Sequence, residues 1–147
     1  YRQNLPPTAT KALLAPILAF TREQSLGGKT SITQIKYFIK MLKNNAGDTN
    51  ALMDFYSRCN FKVPESWKAY IPDHQTLIRG LEFLGDTQAP AEHADGFLAV
   101  IGEDDNFLDP IMLKCKLPHL DVVTNAGHEP EQLLKHLAQQ LQHLFKT

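Results

Sequence analysis

The order of apolar runs predicts an α/β fold built on a parallel sheet, on three observations. Phe97-Leu98-Ala99-Val100-Ile101 is a continuous apolar run bounded by Gly96 and Gly102, the pattern of a strand buried on both faces. A short strand, His119 to Thr124, follows, and then a long amphipathic helix. Strands alternating with helices in this way argue for parallel pairing.

The elements read as follows. Tyr1 to Thr10, with Pro6-Pro7, is a loop or the tail of an earlier helix. Lys11 to Phe20 (KALLAPILAF) has the length of a buried strand, weakened after Ala15 by Pro16. Thr21 to Thr30 is a loop broken by Gly27-Gly28. Ser31 starts a helix, because its hydroxyl can cap a free N–H ahead of Ile32, Ile35, Ile39 and Leu42, and Asn44-Asn45 with Gly47 end it. A second helix runs from Asp48 or Thr49 to about Asn60, with Leu52, Phe55 and Tyr56 inward. Pro64 to Tyr70 holds a short helix with Trp67. Pro72-Asp73 opens another, with Leu77, Ile78, Leu81 and Leu84 as its stripe, stopped at Gly85. A polar linker, Asp86 to Asp95, precedes the strand that ends at Ile101. Pro110 to Lys116 suits a short helix, and Glu129 to Lys146 a longer one with Leu133, Leu134, Leu137, Leu141 and Leu144 inward.

Composition narrows the function classes. A chain of 147 residues with 43% hydrophobic and 21% charged residues is neither disordered nor a disulfide-dense miniprotein. A formal net charge of -1 does not recruit nucleic acid or an anionic membrane. No apolar run reaches the roughly 18 residues of a spanning helix. Two distant cysteines, Cys59 and Cys115, with no signal-like start, favour reduced thiols and a cytoplasmic protein. Both are read as buried apolar fillers rather than nucleophiles.

Two loops carry candidate chemistry. Gly102-Glu103-Asp104-Asp105-Asn106-Phe107-Leu108-Asp109-Pro110 follows one strand and Asn125-Ala126-Gly127-His128-Glu129-Pro130 the next. Ligands bind at such strand ends in open α/β sheets. An acid after one strand and a histidine after the next form the back half of an acyl-transfer triad: the acid fixes the tautomer, and the histidine moves the nucleophile's proton.

The spelling G-E-D-D-x-x-x-x-P, then a short strand and N-A-G-H, resembles the C-terminal half of an α/β-hydrolase. The resemblance implies Asp105 as triad acid and His128 as triad base, with Asp104 the fallback acid and Asp109 a weaker one. It extends upstream: Lys11 to Thr21 resembles the sixth strand and the approach to the lid, and residues 31–85 resemble a helical lid inserted before the C-terminal part, 86–147. Lid and spacing are most similar to esterases that cleave pimeloyl-carrier-protein methyl ester in biotin biosynthesis. The implied fold is the last three parallel strands of the hydrolase sheet plus the lid, acting on an acyl ester or an acyl-carrier-protein substrate and needing no cofactor or metal.

None of the four serines, Ser25, Ser31, Ser57 and Ser66, has the G-x-S-x-G flanking of a nucleophile elbow. The chain is therefore expected to be the C-terminal portion of a serine carboxylesterase, lacking on the order of 100 N-terminal residues and inactive alone. The alternative is a non-catalytic α/β module whose bare sheet edge beside residues 11–20 pairs with another chain.

Other features have two readings each. Phe38, Met41, Phe55, Tyr56 and Trp67 line an acyl pocket under the lid or are plain core. Lys36, Lys40 and Lys43 recur at helical spacing, as a docking stripe for an acidic carrier protein or a solvated face. Gly28-Lys29-Thr30 resembles the end of a P-loop, but Glu23 occupies the place of its first glycine and would repel phosphate. His136 and His143 are too far apart on one helix for a zinc pair, and His74, His93 and His119 have no ligand-like neighbours.

Overall fold

The computed structural model describes residues 9–44, 50, 52, 53, 57 and 73–144. Three strands form one parallel sheet in the order β1 (Ala12–Leu14), β2 (Leu98–Gly102), β3 (Leu120–Val123). Helix α1 (Ile32–Asn44) packs against α2 (His74–Asp86), and both lie between β1 and β2 in the chain. Helix α3 (Pro110–Lys116) connects β2 to β3, and α4 (Pro130–Leu144) follows β3 and packs on β1 and β2. The fold is α/β. The predicted second lid helix and the Trp67 helix lie outside the described residues.

β2 is the central strand and reads as its sequence predicts. Ala99, Val100, Ile101 and Gly102 are all buried, with a strand paired along each edge of β2 and α4 packed on it. Leu113, Leu117, Leu120 and Leu133 close around it with essentially no exposure.

β1 is shorter than the apolar run that carries it. Pairing stops at Leu14 because Ala15 takes a left-handed backbone (φ 45°) and Pro16 follows. Leu18, Ala19 and Phe20 are nonetheless buried, so the apolarity of KALLAPILAF reflects core packing beyond the strand. The chain then makes a closed loop in which Arg22 N–H donates to Thr30 O at 3.0 Å.

Helix caps follow from local chemistry. Ser31 and Gln34 form a reciprocal capping box: Gln34 N–H donates to Ser31 Oγ (3.1 Å) and Ser31 N–H to Gln34 Oε1 (2.8 Å). Asp109 caps α3, accepting from Ile111 and Met112 N–H, and Pro110 takes the first helical position, where no amide donor is needed. Helix α2 runs one residue past Gly85, which packs against Ile32 and Ile35 of α1, and Thr87 is its C-cap.

Asp73 caps α2, and the Thr76 main-chain N–H, helped by the Thr76 hydroxyl, holds its carboxyl below the ordinary carboxylate range. A carboxyl more acidic in the folded than in the unfolded chain stabilises above the ordinary carboxylate range and ceases to as pH falls through it. The thermal midpoint of Asp73→Ala is therefore expected to lie below wild type at pH 7, with the gap closing as pH falls below the ordinary carboxylate range. A gap that stays constant across that range would count against the cap.

Cys115 is exposed, contrary to its reading as a buried filler. Leu113 and Leu117 turn inward from the α3 segment, and a residue two positions from Leu113 lies on the opposite side of a helix. Cys59 lies outside the described residues. No described helix is long and apolar enough to cross a membrane.

Candidate functional site

The ends of β2 and β3 bring Asp105 and His128 together. His128 Nδ1–H donates to Asp105 Oδ2 at 2.7 Å. The Asp105 side chain is fully buried, and its other oxygen, Oδ1, accepts from the N–H groups of Phe107 (2.8 Å) and Leu108 (2.9 Å). This is a local turn in which the side chain stands in for a main-chain acceptor. It holds the carboxylate still before any partner arrives. Asp104 is exposed and Asp109 is committed to the α3 cap, so among the three aspartates Asp105 is the one that meets His128.

His128 is delivered by a tight turn. Asn125 takes a left-handed backbone (φ 55°), which asparagine tolerates better than most residues. The turn carries Ala126 and Gly127 back over the end of β2, where Asp104 N–H donates to Ala126 O at 2.9 Å. Gly102 permits this approach: a Cβ there would sit 2.2 Å from the carbonyl oxygens of both Ala126 and Gly127. The His128 side chain is 27% exposed, and Phe107 meets its ring edge-on with centroids 5.3 Å apart. Phe107 in turn stacks on Phe20 at 5.7 Å. Because the carboxylate only accepts, the neutral imidazole carries its proton on Nδ1 and a lone pair on Nε2. Among the described residues Nε2 has no hydrogen-bond partner.

The segment leading into α1 is stitched to the acid loop. Lys29 N–H donates to Phe107 O and Asp109 N–H to Gly27 O, each at 2.7 Å. The Lys29 ammonium donates to the main-chain oxygen of Asp105 at 2.6 Å. Gly28 lies so close to Phe20 that a Cβ would fall 2.3 Å from its carbonyl. Gly28 thus owes its lack of a side chain to close packing, and the Lys29 amide is occupied by Phe107 instead of facing a phosphate.

Phe38 lines two cavities of about 210 and 200 Å³, one beside Phe107 and one between α1 and α2. Met41 is half-buried and lines neither. Phe55, Tyr56 and Trp67 lie outside the described residues. Lys36, Lys40 and Lys43 are all exposed on α1.

Sequence reasoning missed the roles of Lys29, Phe107 and Gly102. It also missed a second pair, in which Asp121 of β3 accepts from His136 Nε2 (2.6 Å) and Gln140 Nε2 (2.5 Å) of α4. His136 and Gln140 stand one helical turn apart, a spacing that signals a shared face but not the strand residue opposite. His93 and His119 are exposed, and the His143 side chain lies outside the described set. No group of three His, Cys, Asp or Glu among the described residues could hold a metal ion.

The geometry equips His128 to accept a proton at Nε2 while Asp105 anchors the opposite edge of the ring. No protein-family model, curated protein or solved structure matches the chain.

Proposed function

We propose that this chain supplies the acid and base of a serine carboxylesterase or acyl hydrolase of the α/β-hydrolase type, with the serine contributed by polypeptide outside residues 1–147. The observation that carries this reading is the bond from His128 Nδ1–H to a buried, doubly anchored Asp105, at the carboxyl ends of adjacent parallel strands.

In this reading, His128 Nε2 takes the serine proton as the serine oxygen attacks the ester carbonyl. It returns that proton to the leaving alcohol or thiol as the tetrahedral intermediate collapses. Water then repeats the sequence on the acyl-enzyme, releasing the acid and restoring the serine. Asp105 stabilises the imidazolium that forms in each half-reaction. The cavities lined by Phe38 would take the acyl chain. The exposed stripe Lys36, Lys40 and Lys43 would face an acidic carrier protein, as expected for a pimeloyl-carrier-protein esterase of biotin biosynthesis. No cofactor enters the scheme.

Labelling with a fluorophosphonate probe, read by intact mass, tests the proposal, since such probes need a serine activated by its base and oxyanion donors. The longest product of the gene is expected to gain one adduct, on a serine flanked as G-x-S-x-G, and to lose labelling in His128→Ala. Residues 1–147 alone are expected to stay unlabelled. Absence of label on every polypeptide in the sample would favour a non-catalytic α/β module, for which the observation is that β1 pairs on one side only among the described residues.

A further inference from the structure

We infer that β3 and α3 form one face that binds a second copy of this chain, edge to edge, about a two-fold axis at Val122. The inference does not rest on the hydrolase reading, because it concerns the sheet edge away from β1.

β3 is the last strand in the sheet, and among the described residues no strand pairs with its outer side. Glu103 N–H donates to Val123 O, so Val123 turns its main-chain groups toward β2. Alternation along the strand then turns the N–H and C=O of Val122 outward. Such an edge is a template for a further strand unless it is guarded. β3 holds no proline or lysine, and Asp121, its one charged residue, is engaged by His136 and Gln140 of α4.

The surface beside this edge is apolar. Ile111 and Met112 of α3 are 79% and 39% exposed, and Ile111 is the most exposed large hydrophobic side chain among the described residues. A cleft of about 460 Å³ is lined by Pro110, Ile111, Lys114 and Cys115 of α3, by Val122 of β3 and by Glu103 just after β2. Its lining thus holds one acid and one base. Neither is in an ion pair among the described residues.

These features select the occupant. A two-fold axis at Val122 sets that residue against its own copy, and the two exchange both main-chain hydrogen bonds, as opposed residues of an antiparallel ladder do. The same operation brings the two clefts together and offers Glu103 of each copy to Lys114 of the other. A patch with one charge of each sign matches itself in this way, because a two-fold interface is self-complementary. A partner of one sign would meet like charge at half of these positions. The formal net charge of -1 adds little repulsion between copies.

Sedimentation velocity of the longest product of the gene, over a series from micromolar to millimolar concentration, tests the inference. A reversible monomer–dimer equilibrium is expected, and exchange of the Val122 amide hydrogen should slow as the dimer fills. Ile111→Lys, at a side chain that the single chain leaves in solvent, should weaken the dimer at least about tenfold with the thermal midpoint unchanged. Lys114→Glu sets acid against acid and should also weaken it about tenfold. Adding Glu103→Lys to Lys114→Glu should restore most of that loss, which a general effect on folding would not do.

The inference is overturned if the protein stays monomeric throughout the series. It is equally overturned if a dimer forms but ignores Ile111→Lys, or if the Val122 amide exchanges at the same rate in monomer and dimer. A double variant that dimerises no better than Lys114→Glu also overturns it, because the two charges then do not meet across the axis.

Discussion

Asp105→Ala is expected to lower the unfolding free energy by roughly 2–6 kcal/mol, read as a fall in the urea midpoint. The variant strips the acceptor from two buried main-chain N–H groups, those of Phe107 and Leu108, and each unsatisfied buried donor costs about 1–3 kcal/mol. Asp105→Asn separates this scaffold role from the chemical one. Its Oδ1 still accepts from both amides, so the loss of stability is expected to be far smaller. Its Nδ2 would then confront His128 Nδ1–H, donor against donor, and the imidazole relieves the clash by moving its proton to Nε2. A ring protonated at Nε2 cannot act as base there. In the hydrolase proposed above, Asp105→Asn is therefore expected to lower kcat by a factor on the order of 10³–10⁴. Asp104→Asn, at an exposed side chain, should change stability by no more than about 0.5 kcal/mol. If it lowered kcat more than Asp105→Asn did, the assignment of the acid would be wrong.

Gly102→Ala is expected to be nearly as damaging, although it adds a single methyl. The new Cβ would lie 2.2 Å from two main-chain oxygens, which have no rotamer through which to give way. The loops after β2 and β3 would have to separate. That breaks the bond from Asp104 N–H to Ala126 O and carries His128 away from Asp105. A stability loss of about 3 kcal/mol, the upper end of ordinary overpacking, is expected. The low-field Nδ1 proton resonance of a carboxylate-bound histidine should be present in wild type and absent in the variant. Gly80→Ala is the control: it sits inside α2 with open space around its Cβ position, and it should stabilise by roughly 0.5–1 kcal/mol. Equal effects at both glycines would show that helix and turn propensity, not the contact between the loops, governs position 102.

These two positions also mark how much the sequence could tell. Asp105 and His128 were legible because each follows a strand that announces itself. Phe97 to Ile101 is apolar without interruption between two glycines, and β2 falls within one residue of that run. The α3 range matched its prediction because Pro110 and the Asp109 side chain set its start by contacts two and three residues apart. Ser31 behaved likewise at α1.

Gly102 looked like a strand terminator. Its reason for being glycine comes from Ala126 and Gly127, which only the parallel pairing of β2 with β3 brings near. Lys29 read as part of a loop with only a partial P-loop spelling, and its ammonium reaches the main chain at Asp105, a contact between the segment before α1 and the loop after β2. Cys115 passed for core because cysteine is so often buried, while the orientation of a seven-residue helix decided otherwise. In KALLAPILAF, hydrophobicity correctly reported burial but overstated the strand, since burial does not distinguish a ladder from a packed turn.

The sequence by itself determined the α/β order, the caps and the pair of loops that hold Asp105 and His128, because periodicity and capping act over a few residues. The tertiary structure decided which aspartate meets the histidine, where the Lys29 ammonium is anchored and why residue 102 has no side chain. Those outcomes depend on distances between segments far apart in the chain, and such distances are set only when the sheet closes and the loops at its end are packed against one another.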